Sequence, residues 1–336
     1  MEGSILFDEP AGTLSLVDPE LLPLLSMMPA IDFAARSMDE IRQQAEARYA
    51  FLPPPSIKPE IRQFPGPGGT IQIYWYDPCP HGVDRPVLLH IHGGGMIMGS
   101  ARVMQANPAA LARTLNVPVA SVEYRLAPEA PFPGPQEDCL AAYAWLVTNG
   151  NFLGIDPERI GLIGESAGGG LAAATALMLC DRVGPRPAAQ FLIYAMLDHR
   201  TGSDECPYRN RATGEFIWTR AVNRFAWQSL RGSYTIKDER QGWFSPILAR
   251  DLSGLPPTWI GIGSLDLFLD ENLSYARRLI DAGTAVELRC YNGGVHAFNA
   301  IAQAGITKAF NRDLFAAVSR WLNLGHRLIM PQPNPD

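Results

Sequence analysis

Short apolar runs alternate with longer amphipathic ones through most of this chain. Ile71–Tyr76, Val87–Ile91, Val117–Glu123, Ile160–Ile163, Gln190–Ala195, Trp259–Gly263 and Val286–Tyr291 read as strands, being brief and rich in β-branched and aromatic residues. Between them Ala109–Leu115, Gln136–Thr148, Ala167–Leu179, Arg220–Leu230, Asn272–Ala282 and Lys308–Leu322 read as helices. This alternation predicts an α/β class with a mostly parallel sheet covered by helices on both faces. In such a sheet the reactive groups belong in loops at the C-terminal ends of strands.

The first 52 residues break the alternation. Ser37-Met38-Asp39-Glu40 is a capping-box sequence, and Ile41, Ala45 and Tyr49 follow it as a thin apolar stripe. Upstream, Leu21, Leu22, Leu24, Leu25, Met27 and Met28 form an apolar patch that needs cover. Pro53-Pro54-Pro55 is a stiff linker to the remainder. Length changes this picture little: 336 residues suit one large α/β domain at 53–330 with surplus chain at 1–52 and near 205–235.

Composition excludes several classes. Apolar residues are 47% and charged residues 18%, which fits a filled core and not disorder. The net charge of -6 and the lack of a clustered basic surplus argue against a nucleic-acid partner. Five cysteines without C-x-x-C spacing suggest neither a zinc site nor a disulfide framework. No basic leader precedes an apolar run, and no run approaches the ~20 residues a membrane span needs. The expected location is cytoplasmic, with no membrane partner.

The chemistry sits at strand ends. Ile160–Ile163 runs into Gly164-Glu165-Ser166-Ala167-Gly168, a G-x-S-x-G sequence in strand–turn–helix context. The glycines let strand and helix pass closely, and the hydroxyl stands clear at a helix N-terminus. Val87–Ile91 runs into His92-Gly93-Gly94-Gly95, whose amides can turn toward an oxyanion together with that of Ala167. Downstream in the expected order come an acid, Asp266, and a base, His296, each just past a strand. Asp270 is a weaker choice of acid, because it leads into a helix whose positive end favours it anyway. These residues imply acyl transfer through Ser166, Asp266 and His296, with no metal or organic cofactor.

Together with Tyr124-Arg125-Leu126-Ala127-Pro128-Glu129 and Phe132-Pro133, these motifs resemble the hormone-sensitive-lipase-like branch of the α/β-hydrolases, the bacterial family IV esterases. The resemblance covers most of the chain from Ile71. It implies the α/β-hydrolase fold with a helical cap, built from residues 1–52 and a piece near 205–235. It assigns the oxyanion donors to Gly94 and Gly95, keeps Gly93 in the motif, and has Tyr124–Glu129 brace the loop. Departures are Glu165 where many members carry Asp, Met96 where many carry an aromatic residue, and Ala297 where Gly is common. Candidate substrate-binding residues are Met96, Tyr194, Phe216, Trp218 and Trp243, although the aromatic stripe of Arg211–Leu230 also fits ordinary helix core. The resemblance implies a carboxylesterase acting on short- to medium-chain, small-molecule esters. The same triad would serve an amidase of the arylformamidase type. A non-catalytic receptor is disfavoured, since such relatives lack the histidine. Relatives of this kind are often homodimers.

Overall fold

The alternation builds one eight-stranded sheet in the computed structural model, which describes residues 12–28, 33, 36–49, 53–182 and 184–325. Its strands are β1 (Glu60–Gly66), β2 (Gly69–Tyr76), β3 (Arg85–Ile91), β4 (Val119–Glu123), β5 (Ile155–Glu165), β6 (Ala189–Ile193), β7 (Thr258–Gly263) and β8 (Val286–Tyr291). The spatial order is β1-β2-β4-β3-β5-β6-β7-β8. β1 pairs antiparallel with β2 and β2 antiparallel with β4, while the other five pairings are parallel. The sheet is therefore mostly parallel, as the apolar runs predict. β1 was not foreseen: its polar Glu60, Arg62 and Gln63, and its closing Pro65-Gly66, hide an edge strand from an apolar pattern.

Ten α-helices are described. They are α1 (Leu22–Met27), α2 (Met38–Arg48), α3 (Ala106–Leu115), α4 (Gly134–Thr148), α5 (Gly150–Leu153), α6 (Ala167–Cys180), α7 (Arg220–Arg231), α8 (Gln241–Phe244), α9 (Leu269–Asp281) and α10 (Gly305–Trp321). α6 is buried from Ala167 to Met178 and packs on β5 and β6. Its Ala and Gly residues allow that close approach on every side. α2 begins at the foreseen capping box: Ser37 Oγ accepts from the Glu40 amide, and the Glu40 carboxylate accepts from the Ser37 amide. Its Ile41 and Ala45 are buried, and Leu21 and Leu24 of the upstream apolar patch are fully buried.

Of the 1–52 segment, residues 1–11, 29–32, 34–35 and 50–52 lie outside the described residues, as do 326–330 at the other end. The 205–235 stretch is irregular up to Thr219, which caps α7 by accepting from the Val222 amide. Among the described residues no helix is long and apolar enough to cross a membrane.

Candidate active site

The turn after β5 explains the glycine pattern around Ser166. Ser166 has φ 56° and ψ -119°, a strained conformation for a residue with a side chain. A Cβ on Gly164 would stand 2.3 Å from the Gly168 carbonyl oxygen, and one on Gly168 would stand 2.0 Å from that of Ile91. Only glycine fits either place. β6 fixes the turn: the Ser166 amide donates to Ile193 O at 2.9 Å, and the Met196 amide donates to Ser166 O at 2.9 Å.

Ser166, Asp266 and His296 meet although they lie far apart in sequence. His296 Nε2 is 3.0 Å from Ser166 Oγ, and His296 Nδ1 is 2.8 Å from Asp266 Oδ2. The carboxylate can only accept, so Nδ1 carries the proton and Nε2 is left to accept from the serine. Asp266 is fully buried, and its Oδ1 accepts from the Phe268 amide at 2.9 Å. The imidazole is walled by Tyr194, Phe268 and Trp218, with ring centroids at 4.9, 5.3 and 6.0 Å. Asp270, the weaker choice of acid, lies in the first turn of α9, and burial raises its carboxyl.

The glycine loop faces the same point. Among the described residues the amides of Gly93, Gly94, Gly95 and Ala167 donate to no other group. The loop is braced from behind. Tyr124 Oη donates to His92 O at 2.9 Å, and the Tyr124 ring stacks on the His92 ring at 4.2 Å. His92 Nδ1 donates to Gly93 O at 2.8 Å. Burial pushes the His92 imidazole down to about 4, so it stays neutral.

Ser166 and His296 open into a cavity of about 100 Å³. Gly93, Gly94, Tyr194 and Trp218 line it with them, as do Met28, Phe33, Ala45, Arg48, Tyr49, Met98, Met104, Ile217 and Val222. Of the sequence candidates for substrate contact, Tyr194 and Trp218 are therefore on its wall. Met96, Phe216 and Trp243 are not. Met96 is buried behind the glycine loop, where its carbonyl accepts from the Ala127 amide at 2.9 Å. Phe216 packs on the core next to Ile217, and Trp243 Nε1 reaches Asp181 on the outer surface at 3.3 Å. A bulky residue one position away, as with Ile217 for Phe216, points elsewhere when the segment is irregular.

One buried pair was not legible in the sequence. Glu165 is bonded to His90 Nε2 at 3.0 Å, and His90 Nδ1 lies 2.9 Å from Ser121 Oγ. Burial raises the Glu165 carboxyl, but His90, the Asn107 side chain and its own backbone amide together outweigh this and hold it below the usual carboxylate range. The pair arises from register: His90 is the last but one residue of β3, Glu165 is the last of β5, and the two strands are parallel neighbours. Among the described residues no three His, Cys, Asp or Glu side chains gather as a metal-ligand set.

This arrangement can activate a hydroxyl as a nucleophile and offer amides to an oxyanion. Comparison with known proteins points the same way. A family model described as the alpha/beta hydrolase fold matches residues 88–300. Esterase LipI of Mycobacterium tuberculosis is 32% identical over 322 residues, covering 92% of this chain and 97% of that protein. A solved bacterial heroin esterase is 36% identical with a TM-score of 0.83, covering 92% of this chain and 99% of its own. The hyperthermophilic esterase from the archaeon Pyrobaculum calidifontis is 30% identical with a TM-score of 0.79, over 92% and 99%.

Proposed function

The chain belongs to the α/β-hydrolase family, in its hormone-sensitive-lipase-like branch, and from that premise we propose that it is a serine carboxylesterase for short- to medium-chain esters, with Ser166, His296 and Asp266 as its catalytic groups. The observation that carries this reading is the unbroken relay from Asp266 through His296 to Ser166, at the floor of a small, largely apolar cavity. The relatives named as esterases support an ester bond over an amide.

In the proposed reaction, the Ser166 oxygen attacks the ester carbonyl and His296 Nε2 takes its proton. Asp266 stays ionised, fixes the tautomer, and stabilises the imidazolium. The amides of Gly94, Gly95 and Ala167, with Gly93 in the same loop, stabilise the oxyanion. The imidazolium then protonates the departing alcohol. Water attacks the acyl-serine as the same base takes its proton, the imidazolium returns that proton to the Ser166 oxygen as the acyl–serine bond breaks, and the acid product leaves.

Hydrolysis of p-nitrophenyl butyrate by Ser166→Ala measures the claim. A fall in kcat of roughly 10⁴- to 10⁶-fold is expected. A serine-directed organophosphate should label the wild-type peptide that contains Ser166. Undiminished turnover in Ser166→Ala would sink the reading, and a higher kcat/KM for the matching anilide or for formylkynurenine would move it to an amidase.

A further inference from the structure

The wall of the cavity holds a cation that nothing in the reaction above uses. Arg48 ends α2, three residues after Ala45, and both line the cavity. Residues three apart share a helix face, so this face of α2 is turned onto the site. The other charged side chains flanking Arg48 on α2 are engaged. Arg42 grips Glu129 at 2.7 Å, and Glu46 pairs with Arg102 at 2.8 Å. Arg48 is half-buried and has no carboxylate partner among the described residues. Burial holds its guanidinium below the usual arginine range. Glu165 lines the same cavity, but its carboxylate is held by His90.

A guanidinium keeps its charge under protein conditions. Held partly out of water, it has lost some of its hydration, and an anion entering the cavity would compensate for that loss. Its fork of donors matches a carboxylate. The cavity is otherwise lined mainly by Met, aromatic and aliphatic side chains, which bind short carbon chains without regard to charge.

We propose that Arg48 anchors a carboxylate carried by the substrate, so that the preferred esters are short ones bearing an acid group a few bonds from the ester linkage. This rests on the esterase reading and narrows its substrate class. The bond chemistry is unchanged. Water's oxygen joins the acyl carbon, the alcohol leaves with a proton, and the second carboxylate is a spectator. The acid group can sit on either side of the ester. Arg48 then acts on binding, and its loss is read in KM more than in kcat.

The test pairs charged with neutral esters, followed by pH-stat titration. Monoethyl succinate and monoethyl glutarate against ethyl butyrate and ethyl valerate place the acid on the acyl side. 4-Acetoxybenzoate against 4-acetoxybenzamide places it on the alcohol side. In the wild type at least one charged ester should be preferred over its neutral partner. In Arg48→Met that kcat/KM ratio should fall roughly 10- to 100-fold, the range for a hydrogen bond to a charged group. Arg48→Lys should recover part of it. Organophosphate titration of Ser166 counts correctly folded sites in each variant, and Arg48→Gln replaces any variant that fails to fold. A ratio unmoved by both Arg48→Met and Arg48→Gln, or a wild type that disfavours both charged series, overturns the proposal. Neutral esters still cleaved through Ser166 in that case would leave the esterase reading standing. Absence of any hydrolysis would remove both.

Discussion

The floor of the cavity is positioned by backbone bonds and the roof by side-chain packing. On the floor, the Ser166 turn is bonded to β6, and the glycine loop is pinned by Tyr124 and His92. Positions are set there by peptide geometry, which tolerates almost no added atom. The roof is Met28, Phe33, Ala45, Arg48 and Tyr49 from the N-terminal part, with Ile217, Trp218 and Val222 from the 205–235 region. There, shape comes from rotamers and packing, which can change without moving the reacting atoms. In the proposed reaction the floor would fix the chemistry and the roof would select the substrate.

Substitution on the floor should give the largest effect. Gly94 has φ +114°, and a Cβ there would stand 2.0 Å from the Met98 carbonyl oxygen. Gly94→Ala must therefore displace the loop, and a loss of about 10²- to 10³-fold in kcat is expected, comparable to losing one oxyanion donor. Steady-state kinetics with p-nitrophenyl butyrate, beside circular dichroism to confirm folding, checks it. A folded variant within tenfold of wild type would erase the distinction between floor and roof.

A roof substitution should act differently. Trp218 covers Gly95, with its ring 2.4 Å from where a Cβ on that glycine would stand, and its Nε1 donates to Asn223 Oδ1 at 3.1 Å. Trp218→Ala widens the cavity and should shift the acyl-chain optimum to longer chains, by roughly tenfold or less in relative kcat/KM. A series from acetate to palmitate reads this. A uniform loss across all chain lengths would place Trp218 with the floor.

Acid should weaken both regions through stability and not through turnover. His92 lies behind the glycine loop, and His199 lies against Trp227 of α7 and Phe244. Burial pushes each down to about 4 from an ordinary 6.5. The folded state therefore favours the neutral ring, and the unfolded chain binds the proton more readily. Each contribution is complete above about pH 6.5 and is lost as pH falls toward about 4. Urea midpoints at pH 7, 5.5 and 4 should fall in that order. His199→Phe should recover on the order of 2 kcal/mol of the loss. A pH-independent midpoint in wild type would contradict the burial of both rings.

The same contrast explains what the sequence made legible. Seven strands and the floor residues were readable because each depends on local signals. Apolar runs, glycines next to Ser166 and the order of Asp266 and His296 all lie along the chain. β1 escaped because an edge strand can be polar. The His90–Glu165 pair depends on the register between β3 and β5, which no local pattern records. The roof was readable only as a region. Whether Phe216 or Ile217 faces the cavity is decided in a segment without regular periodicity, and Arg48 looks like any charged end of a helix.

The Arg42 side chain joins the two regions. It donates to Ile97 O at 2.9 Å, to Ala127 O at 3.0 Å, and to both oxygens of Glu129. Ile97 follows the glycine loop, and Ala127 and Glu129 follow Tyr124, which holds that loop from behind. Transplanting α2 from a relative would therefore carry over a mechanical tether along with new specificity. A graft lacking an arginine at this place would leave two carbonyls and a carboxylate without their shared donor, next to the loop that must stay still. Recombination among such enzymes should then succeed when α2 and residues 124–129 are exchanged as one block and fail when they are exchanged separately.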